Sequence, residues 1–315
     1  MYLGIEIGGT KLQLGVGDGT GPDLSELVRL DVDRAAGATG ILEQIKATAP
    51  ALIDRHGVDR IGIGFGGPVN MTSGTVVKSH HVAGWDGFPL AEWCSNELGV
   101  HAVIGNDCDV AALAEAAHGA GRDSRIVLYV TVGTGVGSGL VIDNKLYAPH
   151  RFTRTEIGHL RPGLDARLPD AIVEAHSAGP SIAENARRRA NSEGAEAARA
   201  FMEAAGAPSL DALTAQHVAR AARDGHPMAV SVWDDAIRTL GWAIAQAITV
   251  TAAEVVVVGG GVSLAGDELF FRPLRERVCE YVFPLLADAH SIVPAALGEE
   301  VVVVGAVLVA AGDYS

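Results

Sequence analysis

Two stretches of this chain share one plan, and it limits the folds open to them. GIEIGGTKLQLGV, Gly4 to Val16, places apolar residues at alternate positions on both sides of a turn holding Gly8, Gly9, Thr10 and Lys11. RIVLYVTVGTGVGSGLVIDNKLY, Arg125 to Tyr147, repeats the plan around Gly133, Thr134 and Gly135 and adds a third short piece. The alternation makes each flank a half-buried strand. Successive glycines let backbone N–H groups converge on an anion without a Cβ in the way, and Thr adds a hydroxyl donor. Neither turn is a Walker loop: the first lacks the four-residue spacer, and no Lys-Ser/Thr follows the second. Neither suits a dinucleotide, because a strand rather than a helix follows each. Either turn alone reads equally well as a tight hairpin with no ligand. Two of them, opening two halves of one chain, point to phosphate.

A chain of 315 residues exceeds the usual single core, so two lobes are expected. Its net charge of −14 argues against nucleic acid or an anionic membrane as the main partner. The longest uncharged run in the helical region Val232 to Ala253 starts at Thr239, too short for a membrane span and suited to a buried helix. Glu6 and Lys11 come too early for a secretory leader, so a cytoplasmic location is expected. Cys94, Cys108 and Cys279 are odd in number and far apart, which suggests neither a disulfide framework nor a thiolate metal site.

Between the two glycine turns the pattern predicts a helix over Gly40 to His56, a strand in RIGIGFGGPV and a helix over Leu90 to Leu98. A buried strand, Val100 to Asp107, then opens a helix that a glycine stops near Gly119. Residues 180 to 250 read as helical, with a solvated section over Ile182 to Ala205, a break at Gly206 to Pro208 and a more buried helix from Val232. EVVVVGGGVS reads as a buried strand ending in glycines, and VVVVGAVLVAAG as a strand passing into a helix. The lobes are drawn as 1–118 with about 301–315, and 119–300.

With its paired turns and later GGGVS, the chain resembles the actin-like ATPase and sugar-kinase superfamily, an α/β, two-lobed, ribonuclease H-like fold with a nucleotide cleft between the lobes. GIEIGGTK, IGFGGPVN, GWDGFPL, GNDCDVAALAE, GTGVGSGLVIDNKLY, TEIGH and VVVVGGGVS resemble, in order, the motifs of the ROK family of repressors and sugar kinases. This resemblance implies an ATP- and Mg²⁺-dependent kinase that phosphorylates a hexose, glucose first among them, at its 6-hydroxyl. It implies Asp107 as general base, and Gly67, His81, Asn106, Asp107, Glu156, His159 and Glu174 around the sugar. Gly8, Gly9, Thr10, Lys11, Gly133, Thr134 and Gly135 then serve the phosphates, Gly259 and Gly260 the adenosine, and Glu6 the Mg²⁺. Family members are often dimers or tetramers, so a homo-oligomer is expected.

The local chemistry is compatible with these roles. A carboxylate at a strand end that opens a helix lies near N–H groups favouring its charged form, so Asp107 is expected to be ionised at neutral pH. Asn106 or Asp107 reads equally as a plain helix cap. Fixed sugar hydroxyls need polar partners once desolvated, and Glu156 and His159, three residues apart, can point to one side of a turn.

Four departures from the family pattern stand out. The family's zinc cysteines are replaced by Asp165, Arg167 and Ile172, so no zinc site is expected. Glu6 replaces the usual Asp, and His81 a usual Asn. Arg151, Phe152 and Arg154 replace a small, Gly-rich approach to Glu156. Alternatives are a polyphosphate-dependent glucokinase, a kinase for an amino or N-acetyl sugar, and a sugar-binding regulator without its own DNA-binding domain, since the first strand begins at residue 3.

Overall fold

The opening hairpin forms as expected, β1 (Tyr2–Ile7) and β2 (Lys11–Gly17) pairing antiparallel with Ile5 opposite Leu14, but both strands are buried on both faces and not half-buried as the alternation predicts. The structure is a computed structural model and describes residues 1–79, 82–151 and 153–312. It divides into two units, Met1–Tyr129 with Gly139–Thr155 and Ala295–Ser315, and Val130–Ser138 with Glu156–Pro294. The boundary drawn from sequence at residue 119 falls inside the first of them.

In the first unit, β2 continues antiparallel into β3 (Glu26–Asp31), a strand the sequence reading passed over. α1 (Gly37–His56) leads to β4 (Arg60–Phe65), which lies parallel to β1 with Ile5 opposite Ile63. A small hairpin, β5 (Val69–Asn70) and β6 (Thr75–Val76), precedes α2 (Leu90–Leu98). β7 (Ala102–Asn106) then pairs parallel with β4 and runs directly into α3 (Asp107–His118). The sheet order is β3-β2-β1-β4-β7. Leu3, Ile5, Leu14, Ile63 and Ile104 fill its core with the inner face of α1, Ile41 and Ile45.

The chain leaves the first unit within β8 (Ile126–Val132) and returns within β9 (Val136–Ile142), which pairs with β10 (Lys145–Leu146). The second unit is mostly helical: α4 (Glu174–Ser177), α5 (Gly179–Glu193), α6 (Ala195–Ala205), α7 (Ala215–Arg223) and α8 (Pro227–Thr251). α5 and α6, read as solvated, do bury one side, including Ile182, Ala186 and Phe201. α8 begins at Pro227, ahead of the expected Val232, because proline is at home in a first helical turn. β11 (Val255–Gly259), α9 (Arg272–Tyr281) and β12 (Ser291–Pro294) complete the unit, with β11 and β12 parallel.

The valine run near the C-terminus corrects the sequence reading. Val301 to Val304 is no strand but the start of α10 (Val301–Ala311). α10 is buried on nearly every side, so it has no polar stripe, and periodicity cannot separate such a helix from a buried strand. It lies against the sheet where glycines admit it: a Cβ on Gly62 would sit 1.8 Å from the Ala306 carbonyl oxygen. On its other side a Cβ on Gly305 would sit 1.9 Å from the Val110 carbonyl of α3. Glu115 of α3 is fully buried and accepts backbone N–H bonds from Ala120, Ala296 and Leu297, tying α3 to the approach into α10. Among the described residues no helix is long and apolar enough to cross a membrane.

Arg154 holds the segment after β10 onto α3. Its guanidinium donates to the Asp109 carboxylate, to the carbonyls of Pro149 and Arg151 and to the Met71 sulfur. The Arg154 and Asp109 side chains are only 3% and 6% exposed. Removing one partner of a buried pair strands the other charge, whereas removing both leaves an ordinary apolar contact. R154M should therefore lower the unfolding free energy by about 3–5 kcal/mol. R154M/D109L should recover most of that loss, as read by urea denaturation of the four proteins of the cycle.

Candidate active site

In the first unit the candidate residues gather at the ends of β1, β4 and β7. Gly8 N–H donates to the Lys11 carbonyl at 3.0 Å and closes the first glycine turn, while Arg34 Nε donates to the Gly9 carbonyl at 2.6 Å. Thr10 is exposed. Beside the turn, Gly66 N–H donates to the Ile7 carbonyl at 2.9 Å, which sets Gly66 and Gly67 against the end of β1. Gly67 has φ +152°, and a Cβ there would crowd the Lys78 carbonyl at 2.9 Å.

Asn106 takes the cap of α3. Its Oδ1 accepts from Cys108 and Asp109 N–H at 2.9 and 3.3 Å, and its Nδ2 donates to the Gly67 carbonyl at 3.0 Å. The cap is thus made mainly by Asn106. Asp107 keeps one oxygen on Cys108 N–H at 2.9 Å, and Cys108 alone is its hydrogen-bond partner among the described residues. Burial pushes the Asp107 carboxyl up to about 6, assisted by the charges of Glu6 and Asp109 and opposed by the Cys108 N–H. The helix N-terminus acts in the direction expected from sequence, but desolvation outweighs it. The group is still mostly ionised at neutral pH.

Glu6 is 6% exposed, and burial raises its carboxyl against the pull of Lys11 and Gln13. Lys11 Nζ lies 3.2 Å from Oε1 and also donates to the Glu299 carbonyl, and Gln13 Nε2 donates to Oε2 at 2.6 Å. Lys11 and Gln13 each meet one Glu6 oxygen, which suits a contact to Mg²⁺ through water better than direct ligation. Among the described residues no cluster of three or more His, Cys, Asp or Glu is placed to hold a metal.

In the second unit, Gly133 N–H donates to the Gly135 carbonyl at 2.9 Å and closes the second glycine turn, with Thr134 exposed. The glycines after β11 meet the strand entering that turn. A Cβ on Gly260, at φ +88°, would clash with the Val132 carbonyl at 2.5 Å, and Val262 N–H donates to the same oxygen at 2.9 Å. A cavity of about 1020 Å³ opens there, its wall including Gly133, Thr134, Gly261, Thr214, Arg220 and Trp233. Gly259 is buried inside β11 and Gly260 makes the bend, so neither lines the cavity; Gly261 and Val262 do. Arg187, read as a solvated helix face, also lines it, as its Nε donates to the Leu210 carbonyl at 2.9 Å. The wall residues of α5, α7 and α8 carry no local motif, so only the fold collects them.

Glu156 and His159 flank the short turn Ile157–His159, with His159 Nδ1 at 3.8 Å from Glu156 Oε2 and both side chains well exposed. That spacing does share one side of a turn, as expected. Glu174 belongs to the same neighbourhood: Val173 N–H donates to the Leu160 carbonyl at 2.9 Å, next to His159, and Glu174 Oε2 accepts Val136 N–H at 2.8 Å, at the second glycine turn. His81 lies outside the described residues.

The ROK family model matches residues 2–312. The glucokinase of Streptomyces coelicolor is 30% identical over 285 residues, covering 88% of this chain and 86% of its own. That of Thermotoga maritima is 28% identical over 308 residues, covering 96% and 95%. The crystal structure of a ROK family glucokinase from Streptomyces griseus, in complex with glucose and AMPPNP, superposes with a TM-score of 0.80 at 28% identity and 98% coverage of both chains. These neighbours have the actin-like ATPase fold read from the motifs. With its motifs in order and the match running from end to end, the chain belongs to the ROK family.

Proposed function

We propose that this protein transfers the γ-phosphoryl group of ATP to the 6-hydroxyl of glucose, with Asp107 as general base. One observation carries the assignment: Asn106 takes up the capping of α3, so Asp107, whose hydrogen-bond partner is Cys108 alone, keeps a carboxyl with a pKa of about 6. Such a group is ionised at neutral pH yet basic enough to take a proton from a hydroxyl in a transition state. The sugar oxygen bonds to the γ-phosphorus, the bond to the β,γ-bridging oxygen breaks, and the hydroxyl proton passes to Asp107. Phosphoryl transfer asks the protein mainly for positioning and charge stabilisation. Backbone amides of the two glycine turns supply that for the phosphates without requiring a lysine; Lys11 is spent on Glu6 and the Glu299 carbonyl. Mg²⁺ bound with ATP would neutralise phosphate charge, and Glu6, whose oxygens already meet Lys11 and Gln13, would reach it through water.

The cavity of the second unit supports a nucleotide donor over polyphosphate. Its wall includes Leu213, Val262, Leu264 and Trp233, an apolar surface suited to a base, beside Arg187, Arg220 and Arg223, which suit phosphate. Asn106, Glu156 and His159 supply hydroxyl partners; of Asn106, one amide hydrogen remains after its bond to Gly67. The relatives' glucokinase activity favours glucose among the hexoses.

A coupled assay of ADP release, run over a panel of hexoses, amino sugars and N-acetyl sugars with ATP and with polyphosphate, should give the highest kcat/KM for glucose with ATP. Inertness of every pair would overturn the proposal. D107N should lower kcat at least about a hundredfold while the fold is kept. For the wild type, kcat/KM should fall with an acid limb near pH 6, because the protonated carboxyl accepts no proton. Stability runs the other way: a carboxyl raised above its unfolded value favours folding when protonated and loses that contribution as pH rises through about 6. D107N should accordingly melt above the wild type at pH 7.5 in a calorimetric scan, a gain in stability at the expense of turnover.

A further inference from the structure

We infer that Arg34 is a positioning residue for the phosphate donor, holding the Gly9–Thr10 peptide so that Thr10 N–H faces outward from the first glycine turn. The inference rests on the kinase reading above. The carbonyls of Gly9, Thr10 and Lys11 are each held by a donor. Gly8 N–H donates to the Lys11 carbonyl at 3.0 Å, Val32 N–H to the Thr10 carbonyl at 3.0 Å, and Arg34 Nε to the Gly9 carbonyl at 2.6 Å. The first two donors are backbone groups, which the hairpin and the chain after β3 supply whatever their side chains. The third depends on a particular residue. In a trans peptide the carbonyl and the next residue's N–H point in opposite directions. With the Gly9 carbonyl turned to Arg34, Thr10 N–H points the other way, and among the described residues it meets no acceptor. The guanidinium thus stands behind the peptide and acts through it.

Gly9 makes such a hold necessary. Without a Cβ it restrains the following peptide only loosely, and rotation of that peptide swings Thr10 N–H off a phosphate and brings up a carbonyl, the wrong sign for an anion. Thr10 is exposed and cannot brace the turn by packing, and Lys11 is engaged with Glu6 and the Glu299 carbonyl. The root of Arg34 is itself fixed. Asp33 accepts Ala35 N–H at 2.9 Å, Gly37 N–H donates to the Arg34 carbonyl, and Ala38 N–H donates to the Ala83 carbonyl at 2.9 Å. A cation on the Gly9 carbonyl also polarises the peptide and makes Thr10 N–H a stronger donor. At the second turn a backbone group does the equivalent work: Gly179 N–H donates to the Gly133 carbonyl at 2.8 Å.

Gln and Met separate the hydrogen bond from the charge. Gln carries an amide nitrogen as far along its side chain as Arg carries Nε, without the charge, and Met has a similar length and no donor. Arg34 is exposed, so neither replacement opens a cavity in the fold. R34M should raise KM for ATP about tenfold, from the loss of one charge-assisted hydrogen bond, and leave KM for glucose within about twofold. R34Q should recover most of that loss. Calorimetric titration without sugar should show ATP binding R34M about tenfold more weakly than the wild type, and adenosine, which has no phosphate, binding both alike. Unchanged ATP affinity in R34M, equal losses for ATP and adenosine, or R34Q as weak as R34M would each overturn the inference. A wild type that phosphorylates no sugar, but whose ATP affinity responds to R34M and R34Q in this way, would instead defeat the kinase reading and leave the role of Arg34 standing.

Discussion

The site depends on how one amide is spent. Asn106 ends β7 and begins α3, and its side chain satisfies the helix through two accepted N–H bonds while holding the Gly67 carbonyl through a donated one. A helix start leaves N–H groups without partners, and some side chain or water must meet them. Had Asp107 done so with both oxygens, it would be a low-pKa cap and a poor base. The Asn-Asp order divides the work: the neutral amide satisfies the backbone, and the next residue is left with Cys108 alone as its partner. The same Asn106 ties the end of β7 to the Gly66-Gly67 corner, which is itself hydrogen-bonded to the end of β1. Cap, corner and first glycine turn are therefore joined by hydrogen bonds at one edge of the sheet.

Much of this was legible in the sequence because it is local. Alternation on both sides of Gly8 and Gly133, the helix over Leu90 to Leu98 and the strand-to-helix junction at Asn106 and Asp107 all follow from patterns a few residues long. What was misread depends on distant partners. Val301 to Val304 has strand propensity, yet it is helical because Gly4, Gly62 and Gly305 leave room for a helix that is apolar all round. β3 was passed over because its residues are only half-buried and its pattern is weak. Gly259 and Gly260 were rightly placed near the second turn, but it takes the bend at Gly260 to show that Gly261 and Val262 form the wall. The hydrogen bond of Glu174 to Val136, 38 residues earlier, has no counterpart in any local motif.

Charge sets a second theme. A chain with net charge −14 that handles an anionic donor cannot rely on its overall field. The proposed answer is local and made largely of backbone, with N–H groups in two turns. The buried acids are each matched: Glu6 by Lys11 and Gln13, Asp109 by Arg154, and Glu115 by three backbone amides. Asp107 is the exception. Burial lifts its affinity for a proton, the charges of Glu6 and Asp109 add to that, and hydrogen bonds with Cys108 offset only part of it.

The position of α10 bears on how the protein is made. Ribosomes deliver β1 and β4 more than two hundred residues before the helix that covers them, so a long stretch of chain must emerge before that face of the first sheet is sealed. Contacts separated by so much sequence form slowly, and an apolar sheet face left open in a nascent chain is prone to wrong associations. Emergence of α10 is thus the event that closes the first unit. Any message or ribosome that stops short of α10 yields a product whose opening strands have nowhere to hide.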